Sequence, residues 1–193
     1  MTRNTNKIVA HFHEADAQKK IFDHLLQLII EQQKTFKHPL IVICIGSDRY
    51  TGDSLGPLVG SHLKESSECI VYGSLEGPVH AGNLVETIEK IRYQYYNPLV
   101  IAVDACLGKI NEIGNIEIWE GSLQAGIAVG NKLPSVGNIS IIGVVNGGGM
   151  VGYHELQTAP LSNVMKLSKI IGNVLSKVIA AVNSNGQQKF HNY

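Results

Sequence analysis

The chain has 193 residues, of which 44% are hydrophobic and 17% are charged, and its 16 basic residues balance 16 acidic ones. This length suits one domain with a sizeable core, and the apolar content is too high for a disordered chain. The zero net charge argues against a strongly basic nucleic-acid binder and removes one barrier to forming a homo-oligomer.

No apolar run of the sequence is long enough to cross a bilayer, and the N-terminal residues lack the apolar core of a signal peptide. The three cysteines, Cys44, Cys69 and Cys106, are odd in number and have no CxxC spacing. They therefore indicate reduced structural thiols rather than a disulfide framework or a zinc finger. We expect a cytoplasmic protein with no membrane and no nucleic-acid partner.

In chain order, the first predicted element is a helix over residues 16–33, whose apolar residues recur at helical spacing. A continuous apolar run over 39–45 follows, and such runs are typical of strands that are buried on both faces. A polar loop at 46–52 then leads into a second amphipathic helix over 53–64.

A short strand at 69–72 precedes a helix over 83–95, for which Asn83 provides the first residue of an Asn-x-x-Glu capping pattern. Residues 99–103 form the second buried apolar strand, and a weaker strand is predicted at 115–119.

The Gly- and Ser-rich segment 121–137 is predicted to be a long loop, and the third buried strand covers 139–145. The glycine-rich residues 146–149 end this strand. A long amphipathic helix over 159–183 closes the chain, and the polar tail 184–193 is expected to fray.

These elements alternate between buried strands and amphipathic helices, without an internal repeat or a dividing linker. Such an order predicts an α/β fold, a three-layer α/β/α sandwich around a mostly parallel central sheet. We expect a single domain over residues 1–193, and the pattern leaves the strand order open.

Three polar residues follow the predicted central strands. Asp53 lies a short loop after the first buried strand, Asp104 directly follows the second, and His154 comes after the break that ends the third. Ligands of open α/β sheets bind outside the carboxyl ends of the strands. We therefore expect these three side chains to converge on one edge of the sheet.

Each of the three has a purely structural alternative. Asp53 begins a predicted helix and would serve equally well as its N-cap. Asp104 would also suit a turn, although an acid at the end of a buried strand is partly desolvated, as functional carboxylates often are. A single histidine such as His154 is more often a surface or satisfied core residue than a ligand.

Four further residues are predicted to support the site or bind substrate, namely Asp48, His80, Asn146 and Gly147. For each of them an ordinary loop or turn role is the alternative. The sequence contains no phosphate-binding loop, no dinucleotide fingerprint and no Gly-x-Ser-x-Gly nucleophile elbow.

Four segments resemble, in the same order, motifs of the spore germination protease. They are residues 45–57 (IGSDRYTGDSLGP), 76–83 (EGPVHAGN), 100–105 (VIAVDA) and 126–132 (GIAVGNK). Across nearly its whole length the chain is similar to the YyaC family of short sporulation proteins. The chain is much shorter than the germination protease, and no propeptide is evident.

The resemblance implies a sporulation-associated peptidase that cleaves peptide bonds with an acid pair, Asp53 and Asp104. It also implies a protein or peptide substrate, with small spore proteins as the plausible class. The compartment would be the cytoplasm of the mother cell or forespore of a spore-forming bacterium.

A more distant similarity is to the hydrogenase maturation proteases, which share the α/β/α fold. It implies one divalent metal ion, zinc, nickel or manganese, bound by Asp53, Asp104 and His154. Those proteases usually carry Glu at the position of Asp53, which changes the reach of this ligand. The sequence therefore permits acid-pair or metal-assisted hydrolysis.

Two other functions stay open at this point. The chain could be a non-catalytic binding or regulatory protein of sporulation that retains the protease fold, because fold does not determine function. It could also be a hydrolase that acts on a non-peptide bond. The separation of the two acidic side chains discriminates between an enzyme and a binding protein.

Overall fold

A computed structural model describes residues 7–34, 39–125, 133–149 and 152–188, and these residues form eight strands and five helices. The strands are β1 (Ile8–His11), β2 (Leu40–Cys44), β3 (Ile70–Tyr72), β4 (Leu99–Gly108), β5 (Asn115–Glu120), β6 (Leu123–Gln124), β7 (Ser135–Val136) and β8 (Ile139–Gly147). The helices are α1 (Ala17–Gln33), α2 (Leu55–Ser66), α3 (Leu84–Gln94), α4 (Gly152–Gln157) and α5 (Leu161–Gln188).

Six strands form one sheet in the order β1-β5-β8-β4-β2-β3. The strands β8, β4, β2 and β3 are parallel to one another, whereas β5 pairs antiparallel with β8 and β1 pairs antiparallel with β5. Helices pack on both faces, so the predicted α/β/α sandwich with a mostly parallel sheet is confirmed.

Alternate residues of each strand point to opposite faces of the sheet, because side chains of a strand alternate with a period of two. In β4, Leu99, Ile101 and Val103 are buried in the core beneath α1, α2 and α5. On the other face, Ala102 belongs to a second core cluster that contains residues of α3 and of the β6–β7 hairpin. Asp104 is in register with the residues of this second face.

Strand β4 is longer than the sequence predicts, since it continues through Asp104 to Gly108 and pairs with β8 over this extension. The prediction ended at Val103 because the apolar run stops there. Asp104 therefore lies inside the strand rather than beyond its end. The pairing shifts by one residue between Cys106 and Leu107, which marks a bulge in the strand.

Three short elements were not predicted, because each is too short to show a clear periodicity. They are β1, α4 and the two-stranded β6–β7 sheet, which lies within the segment predicted as a loop. The resembling segment 126–132 lies outside the described residues. The last helix continues to Gln188, so the predicted fraying does not begin at residue 184. None of the described helices is long and apolar enough to cross a membrane.

Candidate active site

Two glycines bring Asp53 to the end of strand β2. Gly46 has φ +138°, and a Cβ there would lie 2.0 Å from the backbone oxygen of Asp53. Gly56 packs so closely that a Cβ would lie 2.0 Å from the carbonyl oxygen of Ile45. The N–H of Ser47 donates to the backbone oxygen of Asp53 at 3.2 Å, which closes the loop. Only glycine permits such an approach of helix and strand.

Asp53 is not a helix cap. It lies within a 3-10 turn, Gly52–Ser54, that leads into α2, and neither this turn nor α2 has a side-chain cap hydrogen bond. The sequence alternative of a purely capping role for Asp53 is therefore wrong. Its side chain instead lines a cavity together with Asp104.

Strand β4 holds Asp104 on the face of the sheet that carries the second core cluster. One carboxylate oxygen, Oδ1, accepts a hydrogen bond from the N–H of Ala105 at 2.8 Å. The other carboxylate oxygen has no hydrogen-bond partner among the described residues. Asp104 as a whole is half-buried. The carboxyl group is thus held by the strand and open to the cavity.

The shared cavity has a volume of about 650 Å³. Besides the two aspartates, its lining includes apolar and aromatic side chains from β5, β6, β8 and α4, which are Trp119, Leu123, Ile142, Val144 and Leu156. It also includes Cys106 and two further carboxylates, Glu112 and Glu117. A cleft of this size with apolar walls and a few convergent polar groups is typical of small-molecule and peptide sites.

The surroundings of Asp53 and Asp104 shift the pKa values of the two carboxyl groups differently. Burial, followed by the negative charge of Asp53, raises the pKa of Asp104 to about 8. Burial also raises the pKa of Asp53, but the backbone N–H of Ser47 and the charge of His80 oppose this rise. Burial and the charge of Asp53 thus both favour the protonated form of Asp104, because two carboxyl groups in one cavity do not ionise together readily.

His80 is placed beside Asp53 by its own loop. Its backbone N–H donates to Oδ1 of Asn83 at 2.8 Å, and its ring Nδ1 accepts from the N–H of Gly82 at 3.1 Å. The side chain of Asn83 thus braces this loop and does not cap α3, contrary to the capping pattern of the sequence.

The other predicted supporting residues lie away from the cavity wall. Asp48 is exposed in its loop. The amide of Asn146 donates to the backbone oxygen of Glu155 at 2.9 Å, and its Oδ1 accepts from the N–H of Gly147 at 2.9 Å. These contacts tie α4 to the end of β8, while Gly149 of the following loop reaches the cavity.

His154 does not join the two aspartates. It is exposed on α4, and its backbone oxygen accepts hydrogen bonds from the N–H and Oγ1 of Thr158 at 3.0 and 2.9 Å. Within the described ranges, no group of three His, Cys, Asp or Glu side chains is arranged to hold a metal ion. The donor set around Asp53 and Asp104 thus does not fit the three-ligand metal centre that the resemblance implies.

Glu117 and Trp119, which line the cavity from β5, are not among the site residues predicted from the sequence. A signal was present, because the apolar residues Ile116 and Ile118 alternate with them and are fully buried on the opposite face. Alternation of this kind predicts a strand with one polar-lined face. Because this stretch is short, the sequence predicts only a weak strand there.

Comparisons with known proteins place the chain among relatives. Residues 9–174 match the family described as "Protein of unknown function (DUF1256)". The chain is 44% identical over 146 residues to a Bacillus subtilis (strain 168) protein named "Uncharacterized protein YyaC", covering 75% of this chain and 71% of that protein. The crystal structure of the NiFe hydrogenase maturation protease HycI from Thermococcus kodakarensis KOD1 aligns with a TM-score of 0.45 and 16% identity, over 79% of this chain and 99% of that one.

Proposed function

The chain belongs to the DUF1256 family, and we propose that it is a peptidase-like hydrolase in which Asp53 and Asp104 act as an acid pair. The observation that carries this proposal is the presence of both carboxyl groups in one cavity, where the charge of Asp53 raises the pKa of Asp104. Two aspartates in separate structural roles would have no such influence on each other.

The proposed reaction uses the two acids in different protonation states. Ionised Asp53 takes a proton from a water molecule, whose oxygen attacks the carbonyl carbon of the peptide bond. Protonated Asp104 donates a hydrogen bond to the carbonyl oxygen as negative charge develops there. A proton then passes to the leaving amine, the C–N bond breaks, and the pair returns to its singly protonated state.

The surrounding residues favour this division of roles. Burial raises the pKa of Asp53, but the backbone N–H of Ser47 and the charge of His80 oppose this rise and so favour the ionised base, whereas desolvation favours the protonated form of Asp104. The apolar wall formed by Ile142, Val144 and Leu156 limits access of water to the pair. No step of this mechanism requires a metal ion, and the donor set described above offers no third ligand.

The substrate that we propose is a protein or peptide, and small spore proteins are its plausible class. This proposal rests on the resemblance of residues 45–57, 76–83 and 100–105 to the germination protease. We propose further that the reaction takes place in the cytoplasm of the mother cell or forespore of a spore-forming bacterium and that the chain forms a homo-oligomer. A non-catalytic regulatory protein of sporulation is the competing function.

The test is cleavage of a peptide library and of small spore proteins, read by mass spectrometry. We expect wild-type protein to cleave, and Asp104→Asn to lose at least about 100-fold in rate, as loss of a general acid or base does. Asp23→Asn is a matched control, because Asp23 is exposed on α1 and pairs with Lys19. Wild-type rates in the Asp104→Asn protein would overturn the mechanism, and absence of any cleavage by wild-type protein would favour the regulatory function.

A further inference from the structure

Glu117 and Asp104 flank the same residue of the sheet. Glu117 on β5 pairs with Ile142 on β8, and Ile142 pairs in turn with Asp104 on β4. Adjacent strands lie about 4.8 Å apart, so the backbones of Glu117 and Asp104 are separated by about 10 Å on one face of the sheet. All three residues line the cavity.

The ammonium group of Lys7 already binds the carboxylate of Glu117. The Nζ of Lys7 lies 2.5 Å from a carboxylate oxygen of Glu117 and 5.8 Å from the centre of the Trp119 ring. The Glu117 side chain is 16% exposed, whereas that of Lys7 is 42% exposed. A carboxylate beside an aromatic face attracts cations by charge and by the quadrupole of the ring.

The cavity has a negative interior that would suit a cationic ligand. Its described lining includes four acidic residues, of which Asp104 is the protonated one near neutral pH, and no Lys, Arg or His side chain. One of these acids, Glu112, is held at the rim by the backbone N–H of Lys109 at 2.7 Å. Cys106 also lines the cavity. Burial, followed by the charges of Glu117 and Asp104, raises the pKa of its thiol to about 12, so both acidic residues influence this thiol.

Lys7 pairs with Glu117 from outside the cavity lining. It belongs to the segment that precedes β1, it is more exposed than its partner, and it is not among the residues that line the cavity. A cationic side chain that enters along the cavity floor would reach the same carboxylate from inside. Exchange of one ammonium for another costs little, since Glu117 stays paired throughout.

Building on the proposed peptidase function, we propose that Glu117 and Trp119 bind a lysine or arginine side chain of the substrate, which displaces Lys7. An extended peptide advances about 3.3 Å per residue, so a span of about 10 Å corresponds to three residues. The cationic residue therefore lies within about three positions of the bond that Asp53 and Asp104 hydrolyse.

Trp119 provides a direct reporter, because it is the single tryptophan of the chain. The test titrates the Asp104→Asn protein, in which the peptide stays intact, with capped alanine pentapeptides that carry Lys, Arg or norleucine at the central position. Tryptophan fluorescence gives the dissociation constant. We expect the Lys and Arg peptides to bind at least about fivefold more tightly than the norleucine peptide, and this difference to shrink with added salt.

Two further variants assign the effect. Glu117→Gln should abolish the preference for Lys and Arg, whereas Lys7→Met should strengthen binding of both cationic peptides because the internal competitor is gone. Butylamine is the control for a site that merely collects free amines, and we expect it to bind far more weakly than the peptides. Thermal unfolding of each variant verifies that the fold is retained.

Equal affinity for the Lys and norleucine peptides, no saturable signal with any peptide, or a preference that survives Glu117→Gln would overturn this assignment. Weaker binding of cationic peptides to Lys7→Met would also overturn it. These outcomes are separate from failure of the peptidase function, since binding is measured without cleavage. Cationic preference without cleavage by wild-type protein would remove the peptidase function and leave the binding position standing.

Discussion

Asp53 and Asp104 reach one cavity from different elements, the first from the turn before α2 and the second from inside strand β4. Their proximity is the source of a mutual electrostatic effect, since the charge of Asp53 adds to burial in raising the pKa of Asp104. This relationship has consequences for stability as well as for catalysis.

Asp104→Asn should stabilise the protein at alkaline pH. The pKa of Asp104 is 3.8 in the unfolded reference and about 8 in the fold. The folded state therefore binds the proton more tightly, and this group costs stability progressively as pH rises from about 4 to 8. Asparagine removes this cost, so we expect a gain of several kcal/mol at pH 8, up to about 5 kcal/mol for a pKa difference of about four units, that disappears near pH 4. Urea unfolding at both pH values measures it.

Asp23→Asn is the control for this comparison, because it removes an exposed carboxylate without affecting the cavity. It should change the free energy of unfolding by less than about 0.5 kcal/mol at either pH. A gain in the Asp104→Asn protein that is equal at pH 4 and pH 8 would show that Asp104 titrates normally.

His80→Gln should move the acid limb of the pH–rate profile to higher pH. The charge of His80 lowers the pKa of Asp53, so its removal raises that pKa and protonates the proposed base at a higher pH. The alkaline limb, which belongs to Asp104, should move little. The rate of peptide cleavage between pH 4 and 9 measures both limbs, and a uniform loss of rate with an unchanged profile would contradict this role.

Gly56→Ala should destabilise the junction of β2 and α2. A Cβ at this position would lie 2.0 Å from the carbonyl oxygen of Ile45, which is backbone and cannot move without displacing the strand. We expect a loss of about 3 kcal/mol in the free energy of unfolding, as overpacking in a core costs. In Gly77→Ala the nearest atom is the Oγ of Ser74 at 4.0 Å, so this control should unfold like wild-type protein.

Chelators should leave cleavage intact, because the described residues offer Asp53 and Asp104 no third metal ligand. His154→Ala should likewise retain activity, since His154 is exposed on α4 and does not line the cavity. The measurement is the cleavage rate before and after dialysis against EDTA. Loss of activity that zinc, nickel or manganese restores would show that a metal centre forms after all.

The expectation that Asp53 and Asp104 lie near one edge of the sheet came from the sequence, because buried parallel strands end in recognisable apolar runs; both residues line one cavity. It could not show that β4 continues past Asp104, since the extension carries small and polar residues whose pairing with β8 is a tertiary effect. The same limit hid α4, on which His154 is exposed and lies outside the cavity lining that holds the two aspartates. Glu117 was recognisable only through alternation in one short strand.

The proposed acid pair requires one proton shared between Asp53 and Asp104. Carbon-13 NMR of the aspartate carboxyl carbons measures the protonation of both groups as a function of pH, and this measurement needs no knowledge of the substrate. We predict that Asp104 stays protonated through neutral pH and titrates near 8, and that its pKa falls when Asp53 is replaced by Asn. An Asp104 resonance that titrates near 4 and is insensitive to Asp53→Asn would contradict the acid pair.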